Sequence, residues 1–211
     1  NTMLADLTVK DFLDKVACSD PVPGGGSIAA LNGAIASALA AMVANLTIGK
    51  KGYELHEELM RHISGVALQQ KGAFVEDIDR DSEAYDKVFA CFKMPKATDE
   101  EKAARSTAIQ AATKFAALVP MQVARNAYEL MTVIMDVARL GNRNAVTDAC
   151  VAMMSARSAV LGALMNVRIN LGSLKDKEFV SKLQSEADEL EHLACAKEKE
   201  LLDEINQELK V

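Results

Sequence analysis

The sequence predicts an all-α protein, an antiparallel bundle of long helices. Apolar residues recur at helical spacing along nearly the whole chain, and no strand-like alternation persists for more than a few residues. Aromatic residues make up only 4% of the chain and Trp is absent, so we expect small and flexible side chains to fill the interior. The 211 residues suffice for one sizeable core, and we expect residues 1–211 to form a single domain.

Proline and glycine residues divide the helical pattern into seven segments. We predict helices over 8–18, 27–48, 53–92, 99–118, 121–140, 144–172 and 176–209. Pro120 separates two of these segments, and it can either end one helix or kink a continuous one. Short connections between long helices indicate antiparallel neighbours, and the amphipathic last helix is expected to cover the outside of the bundle.

Composition and charge limit the expected partners. A formal net charge of −6 argues against general nucleic-acid binding. The apolar run 28–48 is nearly long enough to span a bilayer, but Asn32, Ser37 and Asn45 interrupt it, so we expect a buried helix and no membrane partner. We expect no signal peptide, and the four cysteines lack C-x-x-C spacing, so we expect reduced core thiols in a cytoplasmic protein.

The segment Asp-Pro-Val-Pro-Gly-Gly-Gly-Ser at 20–27 is the most unusual part of the chain. Two prolines stiffen the backbone before three consecutive glycines, and an Ala-rich helix follows at once. We expect Ser27 to cap this helix. The unpaired N–H groups at the positive end of the helix would then suit a bound anion.

Acidic residues in the predicted helix 53–92 form a second unusual feature. Asp81 falls within the apolar face of this helix, between Ile78 and Tyr85, whereas Asp79 projects roughly opposite and is expected at the surface. A buried Asp81 needs a hydrogen-bond donor or a function. On spacing alone, an Asp that caps a neighbouring helix or pairs with an Arg explains the position slightly better than a function does.

Small and polar residues share one face of the predicted helix 144–172. This face contains Asp148, Ala152, Ser155, Ala159, Gly162, Asn166 and Asn170. It suits a tight packing seam as well as the wall of a ligand site. Lys50 and Lys51 follow the Ala-rich helix, where they either complement the helix dipole or hold a carboxylate of a ligand. The histidines lack the spacing of metal ligands, so no metal site is expected.

Several motifs together resemble the formiminotetrahydrofolate cyclodeaminase / methenyltetrahydrofolate cyclohydrolase family. The matching segments are 21–27, 42–51, 79–85, 94–96, 141–144 with Asp148, and 166–171. The resemblance runs from about residue 5 to the C-terminal helix. One departure is Gly52, where the family more often has a third basic residue.

This resemblance implies an all-α homodimer that acts on a tetrahydrofolate derivative, with or without a polyglutamate tail. It implies no metal and no cofactor beyond the folate itself. The favoured activity is cyclodeamination of 5-formiminotetrahydrofolate to 5,10-methenyltetrahydrofolate and ammonia. The alternative is cyclohydrolase activity, which gives 10-formyltetrahydrofolate. A non-catalytic dimerisation module is a third interpretation, but it leaves the glycine run and Lys50-Lys51 unexplained.

On this resemblance we expect Asp148 or Asp81 to transfer protons at the reacting carbon. Asp148 is slightly preferred because the adjacent Gly-Asn-x-Asn segment can orient the substrate. Asn142, Asn144 and Asn166 would bond to the pterin or the reacting centre. The expected contacts to the pterin edge or the glutamate tail are Pro23, Gly24, Gly25, Gly26, Ser27, Asn45, Lys50 and Lys51.

The expected layout places the glycine loop near Lys50, as one wall of a cleft whose opposite wall is the Asp148/Asn166 seam. Whether that wall belongs to the same subunit or to its dimer mate is left open by the sequence.

Overall fold

A computed structural model describes residues 2–210 of the chain, and Asn1 and Val211 lie outside them. Six α-helices follow one another: α1 (Val9–Ala17), α2 (Gly25–Asn45), α3 (Glu57–Phe92), α4 (Asp99–Leu140), α5 (Val146–Leu171) and α6 (Lys177–Glu208). Short 3-10 turns stand at Leu4–Asp6, Glu54–His56 and Arg143–Ala145. No strand occurs between residues 2 and 210, so the predicted all-α class is confirmed.

Helix α4 is the main departure from the predicted boundaries. It runs unbroken for 42 residues through Pro120, so the separate helices expected over 99–118 and 121–140 are wrong. Proline removes one helix hydrogen bond, but Pro120 is buried among packed apolar residues that hold the helix together. A capping box at Thr98 and Glu101 fixes the start of the helix, and Gly141 follows its end.

The two apolar helices α2 and α5 lie side by side and antiparallel. A Cβ on Gly162 of α5 would lie 3.5 Å from the Cβ of Ala29 in α2. Just past the other end of α2, Thr47 Oγ1 accepts a hydrogen bond of 2.8 Å from the backbone N–H of Asn142, which precedes α5. Helix α3 packs on the other side of α2, α4 packs against α3, α2 and α5, and α6 covers α5 and α4.

Helix α6 covers the outside of the bundle as predicted. Its apolar stripe is buried at Leu183, Ala187, Leu190, Ala194, Leu201 and Ile205. The expectation of core thiols is correct only for Cys150, because Cys18 and Cys195 are exposed. Tyr85, which the helical pattern places on the apolar face of α3, is 42% exposed. It lies one turn beyond Asp81, which faces the first turn of α2 at Gly26, so α2 does not cover it.

Length and hydropathy alone would allow two helical segments, Gly25–Asn45 and Arg143–Leu171, to cross a membrane, a property that core helices of soluble proteins share. In the most apolar stretch of each segment, 61% and 50% of the residues are buried in the bundle. Each segment also has exposed apolar side chains, such as Ile35 and Met165, which the described part of the chain does not cover.

Candidate functional site

The predicted site residues divide into two groups at opposite ends of α2. This helix has 21 residues and is therefore about 30 Å long. We call one group the glycine-loop end, which contains Pro23, Gly24, Gly25, Gly26, Ser27, Asp81 and Asn166, and to which the structure adds Asp77. We call the other the lysine-turn end, which contains Asn45, Lys50, Lys51, Asn142, Asn144 and Asp148.

At the glycine-loop end, α2 begins at Gly25 with Gly24 as its N-cap residue. The expectation that Ser27 caps the helix is wrong, because Ser27 already lies in the first turn and is fully buried. Its Oγ donates a 2.7 Å hydrogen bond to the carbonyl of Ile78 and lies 3.0 Å from Ser82 Oγ. Ser27 therefore fastens the start of α2 to α3.

Gly26 brings the backbone of α2 against the side chain of Asp81. A Cβ at position 26 would lie 2.2 Å from both carboxylate oxygens, so no larger residue fits without moving Asp81. Position 26 requires glycine because a side chain would collide with Asp81, and not because of its backbone angle. Among the described residues, only Gly49 and Gly52 have a positive φ. The carboxylate thus lies at the positive N-terminal end of α2, where negative charge is stabilised.

Two carboxylic acids at this end have raised pKa values. The pKa of Asp81 is raised to about 6, mainly by burial and secondly by the nearby charge of Asp77, while a hydrogen bond from the backbone N–H of Ser27 acts in the opposite direction. Burial likewise raises the pKa of Asp77 to about 6, although Arg80 lowers it through an ion pair of 2.8 Å. Acids of this kind can take up and release protons near neutral pH.

Asp79 is a structural residue, and the expectation of a surface acid is wrong. Its side chain is buried at 7% exposure. One carboxylate oxygen accepts a 2.7 Å hydrogen bond from the backbone N–H of Leu4, and the other accepts a 3.3 Å bond from that of Ala5. Asp79 therefore ties the N-terminal 3-10 turn to α3. This turn covers the face of α3 that the helical periodicity had predicted to be exposed to solvent.

The polar face of α5 serves two purposes. Its middle is a packing seam, in which Ala152 and Ala159 are fully buried. Its C-terminal part reaches the glycine loop, since Asn166 Nδ2 would lie 3.4 Å from a Cβ on Gly25. The Asn166 side chain donates to the carbonyl of Gly162 at 2.9 Å, which holds the amide at the edge of the loop.

At the lysine-turn end, two predicted ligand residues are engaged in fixing the turn. Asn142 is buried, and its Nδ2 donates to the Leu46 carbonyl at 3.0 Å while its Oδ1 accepts from the backbone N–H of Asn144 at 3.0 Å. The Oδ1 of Asn45 accepts a 2.7 Å hydrogen bond from Ser64 Oγ. These contacts connect the end of α2 to α3 and to the start of α5.

The lysine turn itself presents two exposed cations. Gly49 and Gly52 have φ angles of 75° and 96°, in the left-handed region that favours glycine. This conformation suits glycine at both positions. Lys50 and Lys51 are exposed between the two glycines, and Asp148 lies half-buried in the first turn of α5.

Within one chain, the expected cleft between the glycine loop, Lys50 and the Asp148/Asn166 seam does not exist. Asp148 and Asn166 are 18 residues apart on a single helix, which corresponds to about 27 Å. Asn166 belongs to the glycine-loop end, and Asp148 belongs to the lysine-turn end. The two candidate acids, Asp81 and Asp148, are therefore far apart in the monomer.

Sequence reasoning missed Asp77 and the aromatic surface next to Asp81. Asp77 lies one turn before Asp81 on α3, and Tyr85 and Phe89 follow at one and two turns after it. The two rings stack with centroids 6.4 Å apart, and both are about half exposed. The four-residue spacing of Asp77, Asp81, Tyr85 and Phe89 could have shown that they share one face of α3. The sequence did not show that α2 begins next to Asp81.

Comparison with known proteins is consistent with the earlier family resemblance. The family model described as formiminotransferase-cyclodeaminase matches residues 8–189. A methenyltetrahydrofolate cyclohydrolase from Methylorubrum extorquens is 40% identical over 89% of this chain and 90% of its own length. The formimidoyltransferase-cyclodeaminase of Rattus norvegicus is 31% identical over 85% of this chain, which spans about 33% of that longer protein.

A solved structure shows the same fold. The crystal structure of formiminotetrahydrofolate cyclodeaminase from Thermotoga maritima superposes with a TM-score of 0.84, at 32% sequence identity, and covers 95% of this chain and 98% of that one. Sequence and fold therefore agree along nearly the whole chain. The chain belongs to the formiminotransferase-cyclodeaminase family, whose named members are folate one-carbon enzymes.

Proposed function

We propose that this chain is an enzyme that acts on the one-carbon bridge between N5 and N10 of tetrahydrofolate, with Asp81 as its acid/base. The observation that carries the proposal is the Asp81 carboxylate, which has a pKa of about 6 and lies against Gly26 in the glycine loop. Asp148, the residue slightly preferred from the sequence, becomes the second candidate because it lies at the other end of α2.

In the cyclohydrolase direction, Asp81 acts first as a base. Water attacks the bridging carbon of the methenyl cation, and the Asp81 carboxylate accepts a proton from that water. The bond between the carbon and N5 then breaks, and Asp81 returns the proton to N5. The remaining hydroxyl proton is released as the carbonyl of 10-formyltetrahydrofolate forms. A negative Asp81 also stabilises the cationic substrate.

In the cyclodeaminase direction, the same carboxylate moves a proton between two nitrogens. N10 attacks the formimino carbon, and Asp81 transfers the N10 proton to the imine nitrogen. The amino group of the tetrahedral intermediate takes up a second proton and leaves as ammonia, which produces the methenyl cation. An acid whose pKa is near neutrality suits both proton transfers.

Of the two activities, we rank methenyltetrahydrofolate cyclohydrolase first. The cyclohydrolase relative is 40% identical over about nine tenths of both chains. Cyclodeaminase, which the sequence alone favoured, is the second candidate because the Thermotoga maritima enzyme of that name is 32% identical over nearly both full lengths. The carboxylate chemistry at Asp81 serves either reaction.

The surroundings of Asp81 support a folate ligand. Tyr85 and Phe89 offer stacked, half-exposed rings one and two turns from the carboxylate, where an aromatic ring of the substrate can pack. The amide of Asn166 lies at the edge of the glycine loop and can bond to the pterin. Homodimer formation, a cytoplasmic location, the need for no cofactor beyond folate, and the absence of nucleic-acid and membrane partners remain parts of this proposal.

A spectrophotometric assay tests the proposal, because methenyltetrahydrofolate absorbs where the other species do not. Loss of this absorbance faster than in buffer alone identifies a cyclohydrolase. Its appearance from 5-formiminotetrahydrofolate identifies a cyclodeaminase. The proposal is wrong if purified protein accelerates neither reaction.

A further inference from the structure

The proline inside α4 frees a backbone carbonyl that a side chain from α5 binds. In a regular α-helix the N–H of residue 120 donates to the carbonyl of residue 116, but Pro120 has no N–H and its ring pushes that carbonyl aside. The Ala116 carbonyl therefore lacks its usual helix partner. The Nδ2 of Asn170 in α5 donates a 3.3 Å hydrogen bond to this same carbonyl.

The surroundings of the freed carbonyl make this bond important. Ala116 is only 8% exposed and Pro120 is buried, so little water reaches this part of α4. A buried carbonyl without a donor costs free energy, and the Asn170 amide removes that cost. Pro120 and Asn170 are distant in sequence, but they form one structural unit.

The same amide of Asn170 connects α4 to the part of α5 that reaches the glycine loop. Its Nδ2 has two hydrogens, and it also donates to the backbone carbonyl of Asn166 at 2.8 Å. The Asn166 side chain itself donates to the Gly162 carbonyl and lies at the edge of the loop beside Gly25. Asn170 therefore ties the turn of α5 that carries Asn166 to α4. We call its two hydrogen bonds the Asn170 bridge.

The freed carbonyl belongs to a residue that also packs on α3. Ala116 and Val119 of α4 form a small buried cluster with Ala84 of α3. Ala84 lies about one turn after Asp81. Ala116 therefore contacts α3 next to the candidate acid and binds α5 next to Asn166, so this point of α4 fixes the spacing between the two groups.

We propose that Pro120 and Asn170 are positioning residues of the folate site. Pro120 frees the Ala116 carbonyl, the Asn170 amide binds it, and the bridge sets the position of the Asn166 amide relative to Asp81. This inference rests on the proposed function, in which Asn166 bonds to the pterin. Neither positioning residue has to touch the substrate, because both act through Asn166.

A regular helix at position 120 separates positioning from stability. Pro120→Ala restores an N–H to the Ala116 carbonyl and draws this carbonyl back towards its own helix, away from Asn170. Proline is unfavourable within a helix, so we expect the variant to remain folded. Its KM in the spectrophotometric assay should rise about 3- to 10-fold, which corresponds to the loss of about one hydrogen bond. The kcat should change less than KM, because Asp81 stays in place. An unchanged KM would overturn the inference.

A double-variant comparison tests whether Asn170 acts through Asn166. Asn170→Leu removes the amide and keeps the branched shape, and its KM should rise by a factor similar to that of Pro120→Ala. Added to Asn166→Ala, the same substitution should raise KM by no more than about twofold further. A wild-type KM for Asn170→Leu, or effects of the two substitutions that multiply, would contradict the positioning role.

Asn32 offers a matched control for these measurements. Its side chain donates to the carbonyl one turn earlier in its own helix, at 3.2 Å from Ile28, in the same way as Asn170 bonds to Asn166. The side chain of Asn32 does not bond to a second helix among the described residues. Asn32→Leu should therefore leave KM within about twofold of the wild type, and a rise equal to that of Asn170→Leu would count against the bridge.

Thermal unfolding tests the bridge without any activity. Asn170→Leu leaves the Ala116 carbonyl buried without a donor, so the unfolding temperature should fall by about 2–6 °C. In the Pro120→Ala background the helix N–H serves this carbonyl, and the same substitution should cost about half as much or less. An equal loss in both backgrounds would overturn the bridge. If the wild type accelerates neither folate reaction, the proposed function fails, while this unfolding comparison still decides for or against the bridge.

Discussion

The two ends of α2 both contain glycines and charged residues, but different physical requirements explain them. At the glycine-loop end, Gly26 leaves room for a carboxylate whose pKa is raised to about 6. At the lysine-turn end, Gly49 and Gly52 allow backbone angles that other residues rarely adopt. The acids at the first end are buried (Asp77) or partly buried (Asp81), and the lysines at the second end are exposed. Proton transfer requires the first environment, whereas capture of an anionic ligand suits the second.

The largest effect should come from adding a single methyl group at the glycine-loop end. The Cβ of Gly26→Ala would lie 2.2 Å from both Asp81 oxygens, so the carboxylate must move. We expect kcat to fall about 100-fold or more in the spectrophotometric assay, since small displacements of catalytic groups cost this much. Gly25→Ala is the control, because its Cβ would make only a 3.4 Å contact with Asn166. Equal activity of the two variants would refute the role of Gly26.

Removing the charge of Asp81 should stabilise the fold at neutral pH. Its pKa in the folded state is about 6, above the 3.8 of an aspartate in an unfolded chain, so the folded state binds more protons and loses stability as pH rises from about 4 through 6. Asp81→Asn should therefore raise the free energy of unfolding by about 1–3 kcal/mol at pH 7.5. The same variant should have little effect at pH 4. Denaturant titrations at the two pH values measure this, and an equal effect at both would contradict the burial of the charge.

At the lysine-turn end, Gly52→Ala should affect folding rather than chemistry. The φ of 96° is unfavourable for any residue with a Cβ, and nothing lies within 4 Å of the added atom. We expect a loss of about 1–2 kcal/mol in the free energy of unfolding and a kcat within about twofold of the wild type. Thermal unfolding and initial rates measure the two quantities. A large loss of kcat with unchanged stability would show that this turn takes part in the chemistry.

The smallest effect concerns the pH profile. The acid limb of kcat/KM should have its midpoint near pH 6, because the ionised form of Asp81 accepts the first proton. Asp77→Asn removes a charge that raises the pKa of Asp81, so the midpoint should move down by a few tenths of a unit to about one unit. Asp86→Asn, an exposed acid on the same helix, is the control. A shift to higher pH would contradict the assigned coupling.

Most of the helices could be predicted from the helical periodicity of apolar residues. Their ends could be predicted from glycine and proline residues, because both signals act within a short stretch of the chain. The sequence left open whether Pro120 ends a helix or lies within a continuous one, since the burial that carries α4 across Pro120 depends on neighbouring helices. Asp81 was recognised as an acid on an apolar face. Asp79 was misplaced at the surface, because the N-terminal turn that covers it is distant in sequence. The sequence also could not predict that Asp81 and Asp148 are far apart, because this distance depends on which ends of α2 and α5 are adjacent in the fold.

The kcat of two single variants tests the central claim most directly. Asp81→Asn and Asp148→Asn are compared with the wild type under saturating substrate, after circular dichroism confirms that both are folded. The account predicts that Asp81→Asn lowers kcat by about 100- to 10,000-fold. It predicts that Asp148→Asn stays within about 10-fold of the wild-type kcat. A folded Asp81→Asn variant with full turnover, alongside an inactive Asp148→Asn variant, would contradict the account and move the acid/base to the lysine-turn end.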